Sequence, residues 1–169
     1  MADLIERYRV IHPFDPSLLD GDGYVMTVRE STELKYLEHR NVVSSEIIFT
    51  PPDIVAILTA KSRFGRLGLS FLNAAKIHSG WIGRVVLEVV NLSNDRQPIM
   101  IEKGEPFMHV VFLTREGKPS PYSGEYMFQH MSKGEIDSYL PIMRDLIPDF
   151  EHHKKIWFKT LRIRGTQEP

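Results

Sequence analysis

The chain contains no cysteine among its 169 residues. Disulfide bonds, thiolate nucleophiles and sulfur-ligated zinc are therefore excluded, and the absence fits a reducing compartment. No stretch approaches the ~20 consecutive apolar residues that are needed to cross a bilayer. The first 16 residues also lack the uninterrupted apolar core of a signal peptide. We therefore expect a cytoplasmic protein with no membrane partner.

An excess of charge of either sign is also lacking. The chain has 21 Lys and Arg residues against 22 Asp and Glu residues, which gives a formal net charge of -1. No overall field therefore attracts the protein to nucleic acid, and we expect no nucleic-acid partner. Hydrophobic residues make up 42% of the chain, which is enough to bury the core of one compact domain. A small polar ligand is compatible with this composition.

Short segments rich in strand-forming residues follow one another between glycine and proline turns, without helices between them. They are Tyr24–Val28, Glu46–Thr50, Ile54–Leu58, Val85–Asn91, Pro98–Ile101 and Met108–Leu113. Strands at this spacing predict an all-β barrel or sandwich rather than a parallel sheet with crossover helices.

The pattern changes after Pro121. Ser132 and Glu135 have the spacing of a capping box, and the apolar residues behind them recur at helical spacing as far as Ile147. We predict a helix from Lys133 to Ile147 and a second helical stretch from Glu151 to Leu161. The expected organisation is a β domain over residues 1–131 followed by a C-terminal helical extension over residues 132–169.

The second helical stretch carries several cations together with Trp157 and Phe158. A helix that packs these aromatics on the β domain and leaves its charges in water explains the pattern. A surface for nucleic acid is the alternative. The neighbouring His152 and His153 cannot share one face of a helix, so we interpret them as a solvated pair rather than metal ligands.

Glu88 is a candidate catalytic residue because it interrupts the strongest predicted strand. It shares one face of that strand with Val86 and Val90. A carboxylate between two valines loses hydration, which favours a group that both accepts and returns a proton. A glutamate on a solvated strand face is the alternative, and the pattern leaves both open.

Two glycine-marked segments precede that strand. Lys61, Ser62, Arg63 and Arg66 lie beside Gly65 and Gly68, and this predicts a basic loop that binds an anion such as phosphate, or a solvated surface. Residues 73–81, with Gly80 and Gly83 around the indole of Trp81, predict a tight hairpin. Trp81 would cover a base or a sugar, or belong to the core.

These motifs resemble those of dCTP deaminase in the trimeric dUTPase superfamily. The resemblance is carried by Ser62 to Leu69, then Ile77 to Gly83, then Val86 to Glu88 with Asn91, in the family's order and near its spacing. Pro121 to Tyr126 and Gln129 are similar to the family's C-terminal lid. The similarity extends from about Tyr24 to Gln129.

The resemblance implies a dUTPase-like distorted jelly-roll, or β-clip, barrel that assembles as a homotrimer with its sites between subunits. It implies a pyrimidine deoxynucleotide as substrate, with Mg²⁺ carried by the nucleotide phosphates. It implies no zinc and no protein-bound metal site. The zinc deaminases hold their metal with a Cys-x-x-Cys pair, and this chain has no cysteine.

The resemblance also assigns roles to individual residues. Glu88 would be the catalytic proton shuttle, Ser62 would hold the attacking water and the base, and Arg66 would contact phosphate. The implied substrate-binding residues are Lys61, Arg63, Ala74, Ala75, His78, Trp81, Val86, Tyr122 and Gln129. Among these, backbone groups at Ala74 and Ala75 would contact the edge of the pyrimidine.

The sequence departs from the family pattern at several positions. His78 stands where the family has an aspartate that faces the deoxyribose, and Lys61 and Arg63 replace an arginine and a serine of the phosphate motif. His109 and Glu125 replace a glutamine and the lid lysine. Three functions stay open: a deaminase of the dCTP type, a diphosphatase acting on dUTP, and a non-catalytic trimer that binds nucleotide or a partner.

Overall fold

The computed structural model describes residues 2–72, 76–118 and 120–165. Eleven strands, four α-helices and one short 3-10 helix at Pro16–Leu18 are found in this part of the chain. The strands are β1 Ile11–His12, β2 Leu19–Asp20, β3 Gly23–Thr27, β4 Thr32–Leu34, β5 His39–Phe49, β6 Ile54–Ala60, β7 Leu69–Phe71, β8 Lys76–Ile77, β9 Ile82–Asn91, β10 Ile99–Ile101 and β11 Pro106–Thr114. The helices are α1 Ala2–Tyr8, α2 Ser62–Arg66, α3 Lys133–Leu146 and α4 Phe150–Gly165. The predicted β architecture with C-terminal helices is confirmed.

The strands form two larger sheets and one small one. The first has the order β1-β5-β9-β7, the second has the order β2-β3-β11-β6-β8, and β4 pairs with β10. Every pairing is antiparallel. On β9 the side chains alternate as the sequence predicted, with Val85, Leu87 and Val89 buried and Glu88 exposed on the opposite face.

The longest strand pairing, β5 with β9, is interrupted by a shift in register, and polar side chains near the shift form hydrogen bonds. The register shifts between Val43 and Ile47, and the buried Ser44 Oγ accepts a hydrogen bond from Val85 N at 3.0 Å. The buried Glu46 carboxylate accepts hydrogen bonds from the amide and the hydroxyl of Thr27, at 3.0 and 2.9 Å. Burial raises the pKa of Glu46 despite these bonds.

The predicted basic loop is wrong as a loop, because Ser62–Arg66 is one short helix with Gly65 inside it. The helix is anchored by Phe64, which is fully buried and lies edge-on to Phe107 at a centroid distance of 4.5 Å. Gly68 does form a turn, with φ +97°, and a Cβ there would lie 2.5 Å from Ser93 Cα.

The predicted hairpin over residues 73–81 is also wrong, because its two arms belong to different sheets. β8 pairs with β6, whereas β9 pairs with β5. The chain crosses between the sheets through a turn at Gly80, whose φ is +69°. Thr50 holds the crossing, since its Oγ1 donates to His78 O at 2.6 Å and accepts from Trp81 N at 3.1 Å.

The C-terminal helices pack on the β-sheets and share their apolar core. The predicted capping box is present at Ser132 and Glu135, and α3 continues through Pro141 to Leu146. Tyr139 of α3 and Trp157 of α4 are completely buried. None of the described helices has both the length and the apolar character that a membrane crossing requires.

The interpretation of the two histidines as a solvated pair is wrong for His153. Its ring stacks on Trp157 at a centroid distance of 5.7 Å, and its Nδ1 is buried without a hydrogen-bond partner among the described residues. His152 stays exposed. The expected burial of Trp157 is confirmed. His153 packs against Trp157 on α4, whereas the sequence had predicted packing for Trp157 and Phe158 only.

Candidate functional site

A pocket of about 470 Å³ lies beside the outward face of β9. Its walls come from β8, from β9 and the turn before it, and from residues 122–129. Six of the predicted site residues line it: His78, Trp81, Val86, Glu88, Tyr122 and Gln129. The motif from Ile77 to Gly83, the motif from Val86 to Glu88 and the segment predicted as a lid therefore meet in one cavity.

Trp81 forms part of the buried side of this pocket. Its side chain is 5% exposed, and its Nε1 donates a hydrogen bond to Tyr126 O at 3.0 Å. Gly83 allows the ring to lie where it does, because a Cβ at that position would come within 2.8 Å of the indole. Trp81 is therefore a core residue that also lines the pocket, and its contact with a base or a sugar stays a prediction.

Glu88 lies on the outward face of β9, between Val86 and Val90. The side chain is exposed in the single chain, so the solvated alternative describes the isolated chain. The carboxylate nevertheless lines the pocket together with Val86. The main chain at Glu88 is fixed on both sides: Asn41 of β5 faces it in register, and its carbonyl accepts a hydrogen bond from Leu72 N at 3.0 Å.

His78 and Tyr122 lie next to one another at the pocket, with ring centroids 5.4 Å apart. Partial burial, and then the positive charge of Lys76, lower the pKa of His78. Burial also raises the pKa of Tyr122. Both side chains are therefore neutral near pH 7, and they offer a polar but uncharged edge to a ligand.

Gln129 is held by the start of β9. Its side-chain Nε2 donates a hydrogen bond to Arg84 O at 2.9 Å, and its backbone carbonyl accepts one from Arg84 N at 3.1 Å. The Arg84 guanidinium is nearly buried and forms an ion pair with Glu135 of α3 at 2.7 Å. That partner lowers the pKa of Glu135 to about 2. The ion pair joins the strand that carries Glu88 to the first C-terminal helix.

The basic residues predicted for the site are not among those that line this pocket. Ser62 and Arg66 are exposed on α2, and Lys61 is half-buried just before it. Arg63 is exposed and forms an ion pair with Glu105, and its guanidinium lies 4.6 Å from the centre of the Phe64 ring. In the single chain the predicted phosphate motif is therefore not part of the pocket that Glu88 lines.

The remaining predicted positions divide into two groups. Ala74 and Ala75 lie outside the described residues, so their predicted contact with a base stays a prediction. His109 does not line the pocket, and its Nδ1 lies 3.1 Å from the Asp20 carboxylate. Glu125 is exposed on the same segment as Tyr122 and is not among the lining residues.

Six lining residues were not among the predicted site residues, and two of them, Lys76 and Tyr126, carry polar side chains; the others are Leu58, Ile77, Val85 and Leu87. Lys76 adjoins the Ile77 motif, and a cation next to a recognised motif was the signal that could have identified it. Tyr126 was seen as part of the lid segment but received no role of its own. Its side chain is 57% exposed, while its backbone carbonyl accepts the Trp81 indole hydrogen bond.

The pocket contains the groups needed to bind a flat, polar, aromatic ligand and to move a proton. Aromatic and aliphatic side chains supply its walls, one carboxylate supplies an acid or base, and Lys76 supplies a positive charge. Among the described residues, no three His, Asp or Glu side chains are grouped so that they could hold a metal ion.

Comparison with known proteins gives a family match over the central part of the chain. Residues 41–114 match the dCTP deaminase-like family model. The dCTP deaminase of Sulfurisphaera tokodaii is 31% identical over 117 residues, which cover 69% of this chain and 62% of that protein. The dCTP deaminase of Ignicoccus hospitalis is 31% identical over 128 residues, covering 76% and 63%. The chain thus spans less than two thirds of the length of these two relatives.

A third relative matches over almost its whole length. It is the dUMP-forming dCTP deaminase of Aquifex aeolicus, which is 29% identical over 176 residues that cover 86% of this chain and 94% of that protein. This match extends well beyond residues 41–114.

Two solved structures show the same fold at low sequence identity. The dCTP deaminase of Agrobacterium tumefaciens has a TM-score of 0.58 at 14% identity, over 68% of this chain and 46% of that one. The dUTPase of the Staphylococcus aureus phage phi11 has a TM-score of 0.53 at 14% identity, over 66% of this chain and 94% of that one. The predicted dUTPase-like fold is confirmed. Residues 41–114 therefore match the dCTP deaminase-like family model, and most of the chain is similar in sequence to dCTP deaminases.

Proposed function

We propose that the protein catalyses the hydrolytic deamination of a deoxycytidine nucleotide, converting dCTP to dUTP and ammonia. The observation that carries the proposal is that Glu88 lines one pocket with five predicted substrate-binding residues, namely His78, Trp81, Val86, Tyr122 and Gln129. The relatives named dCTP deaminase support the same reaction. A cytoplasmic location is part of the proposal.

In the proposed mechanism Glu88 moves protons and the ring atoms exchange an amino group for oxygen. The carboxylate takes a proton from a water molecule, and the oxygen of that water attacks C4 of the cytosine. The C4–N bond then breaks, ammonia departs, and a C4 carbonyl forms. The two protons of the water end on N3 of the ring and on the ammonia, so the reaction consumes one water and needs no oxidant.

The phosphates of the nucleotide require cations that the pocket of one chain does not supply in sufficient number. We propose that Lys61, Ser62 and Arg66 of a second copy reach the pocket in a homotrimer, where Arg66 binds phosphate and Ser62 holds the water and the base. Cyclic assembly repeats such a shared site three times. The face of β9 that would be covered carries the half-buried Val86 and Val90.

Magnesium enters the proposal as part of the substrate. The phage phi11 dUTPase is described as coordinating a structural Mg(II) ion. In the described part of this chain no group of three carboxylate or imidazole side chains is placed to hold a metal. We therefore propose that Mg²⁺ arrives on the nucleotide phosphates, where it neutralises part of their charge.

Mixed assemblies of two inactive variants test the reaction and the shared site together. Glu88→Gln removes the base and Arg66→Ala removes the phosphate contact, so each variant alone should release little ammonia from dCTP and Mg²⁺. When equal amounts are unfolded and refolded together, random assembly gives about a quarter of the sites both intact groups if the site is shared.

Wild-type protein taken through the same cycle is the control for recovery. A mixture as inactive as its components contradicts the shared site. Ammonia release by Glu88→Gln at the wild-type rate contradicts the deaminase mechanism itself.

A non-catalytic nucleotide-binding trimer is the second candidate. Arg63 favours it, because the ion pair with Glu105 in its own chain takes one predicted phosphate-binding cation out of use. This candidate predicts that dCTP binds to wild type and to Glu88→Gln equally and that neither protein releases ammonia. Pyrophosphate release from dUTP would instead identify the third possibility, a diphosphatase.

A further inference from the structure

Residues 120–130 form one wall of the pocket without being a helix or a strand. Because this segment has turns and bends only, its position depends on hydrogen bonds and packing from other elements. On the side of the pocket, Trp81 Nε1 donates to Tyr126 O at 3.0 Å and Phe128 N donates to Ile82 O at 2.8 Å. These bonds attach the wall to the start of β9.

The other side of the wall is attached to α4, with Trp157 as its hydrogen-bonding residue. Trp157 is completely buried, and its Nε1 donates a hydrogen bond to Tyr122 O at 2.8 Å. Its ring also packs edge-on against Phe128, with centroids 5.9 Å apart. Tyr122 is the residue whose ring lies beside His78 in the pocket. The indole of Trp157, which does not line the pocket, therefore donates a hydrogen bond to the backbone of a residue that does.

Contacts within the chain thus hold the wall in place from both sides. A segment that must become ordered when a ligand binds costs free energy at that moment, and a segment that is already ordered does not. Met127 and Phe128, at 1% and 0% exposure, anchor the wall in the core that α4 completes. The position of the Tyr122 and Tyr126 side chains consequently depends on the C-terminal helix.

We propose that Trp157 is a positioning residue for the pocket. Through its hydrogen bond to Tyr122 O and its contact with Phe128, it holds the wall closed before the nucleotide arrives and lowers the cost of binding. The kinetic consequence rests on the proposed deaminase function. The closed wall itself is independent of any activity.

The test compares Trp157→Phe with a matched control, Tyr139→Phe. Trp157→Phe keeps an aromatic ring but removes the hydrogen bond to Tyr122 O. Tyr139→Phe removes a similar bond from a completely buried side chain to a backbone carbonyl, in this case to Arg9 O at 3.0 Å, which lies outside the wall. Both variants lose one neutral bond, and only one of those bonds ends at the pocket.

The first measurement is the exchange of the Trp81 indole proton with solvent, followed by NMR. That proton is bonded to Tyr126 O, so its exchange reports opening of the wall. Loss of one hydrogen bond should speed exchange about fivefold in Trp157→Phe and leave it unchanged in Tyr139→Phe. The second measurement is ammonia release from dCTP, where KM should rise about fivefold and kcat should stay close to wild type because Trp157 does not touch the substrate.

Faster Trp81 exchange together with a raised KM in Trp157→Phe alone supports the positioning role. Unchanged exchange overturns it, and so does faster exchange with an unchanged KM. If wild type releases no ammonia, the proposed function fails, and the exchange comparison still decides whether Trp157 holds the wall. Should Trp157→Phe not fold, Phe158→Leu replaces it, since Phe158 is half-buried and its ring lies 6.2 Å from that of Phe128.

Discussion

The ion pair between Arg84 and Glu135 allows a prediction whose size and pH dependence both follow from the structure. Two hydrogen bonds join the side chains, from Nη2 to Oε1 at 2.7 Å and from Nη1 to Oε2 at 3.2 Å. The Arg84 side chain is 11% exposed and that of Glu135 is 32% exposed. Replacing the carboxylate by an amide in Glu135→Gln keeps its shape and its place in the capping box, where Gln is accepted.

The expected loss of unfolding free energy is about 2 kcal/mol at pH 7. Breaking a fully buried ion pair costs about 3–5 kcal/mol, because the remaining charge has no counter-ion. Glu135 is about one third exposed, so water compensates for part of the lost partner, and Arg84 also donates to His130 O and Ser45 O. With a urea dependence of roughly 2 kcal/mol per molar, the unfolding midpoint should fall by about 1 M.

The loss should disappear in acid. Since the folded-state pKa of Glu135 is lowered from 4.5 to about 2, its stabilising contribution is fully present above pH 4.5 and is lost as the pH falls toward 2. Urea unfolding of wild type and variant at pH 7 and at pH 3 measures this. The control is Glu151→Gln, which breaks an exposed pair with Arg144 at 3.9 Å and should change little at either pH. An equal effect of the two substitutions, or a gap that does not narrow at pH 3, refutes this reasoning.

Three further results are expected. Gly80→Ala should destabilise the protein by about 2 kcal/mol or more in thermal unfolding, because φ is +69° and the new Cβ would lie 2.7 Å from Pro121 Cα. Gly104→Ala is the control, since φ is +78° but no atom lies within 4 Å of the new Cβ, and it should cost about half as much in the same measurement. Burial lowers the pKa of His153, whose near neighbours include His152 and Asp149, so wild type should lose stability as the pH falls below 6.5 more steeply than His153→Phe does. Arg66→Lys should raise KM for dCTP far more than it lowers kcat, and an unchanged titration curve would remove Arg66 from phosphate binding.

Sequence reasoning identified the elements in which most residues have a strong preference for the conformation that they adopt. The apolar runs around Tyr24, Ile54, Val85 and Met108 became β3, β6, β9 and β11 with bounds shifted by a few residues. The capping box at Ser132 was recognised because Ser and Glu at this spacing accept hydrogen bonds from the unpaired N–H groups at the start of a helix. In these segments local preference and tertiary packing favour the same conformation.

The missed elements depend on long-range pairing. β5 begins at His39, seven residues before the predicted strand, because its polar first half pairs with β9 rather than forming an apolar run of its own. β7 and β8 are two or three residues long and exist only as partners of β9 and β6. α2 forms around Gly65 because burial of Phe64 outweighs the helix propensity of one glycine.

Sequence reasoning named six of the residues that line the candidate site, but it did not predict how the motifs are arranged in space. His78 and Trp81 were named from the motif around Gly80 and Glu88 from the motif that follows it, and all three line one pocket. Sequence alone could not show whether the basic motif lies at that pocket, because the order of motifs along a chain does not give the distances between them. His153 was misassigned because the stacking of its ring on Trp157 follows from how α4 lies on the sheets.

The two faces of β9 connect these observations. Its inward face is closed by Val85, Leu87 and Val89, yet its outward face also carries valines, on either side of Glu88. A strand with β-branched residues on both faces is typical of one that is covered on both. If a second copy covers the outward face, the same contact would remove water from Glu88 and bring cations toward the pocket. Dehydration of the base and completion of the phosphate site would then depend on a single assembly step, which is why activity in mixed assemblies is the most direct test of the proposed reaction.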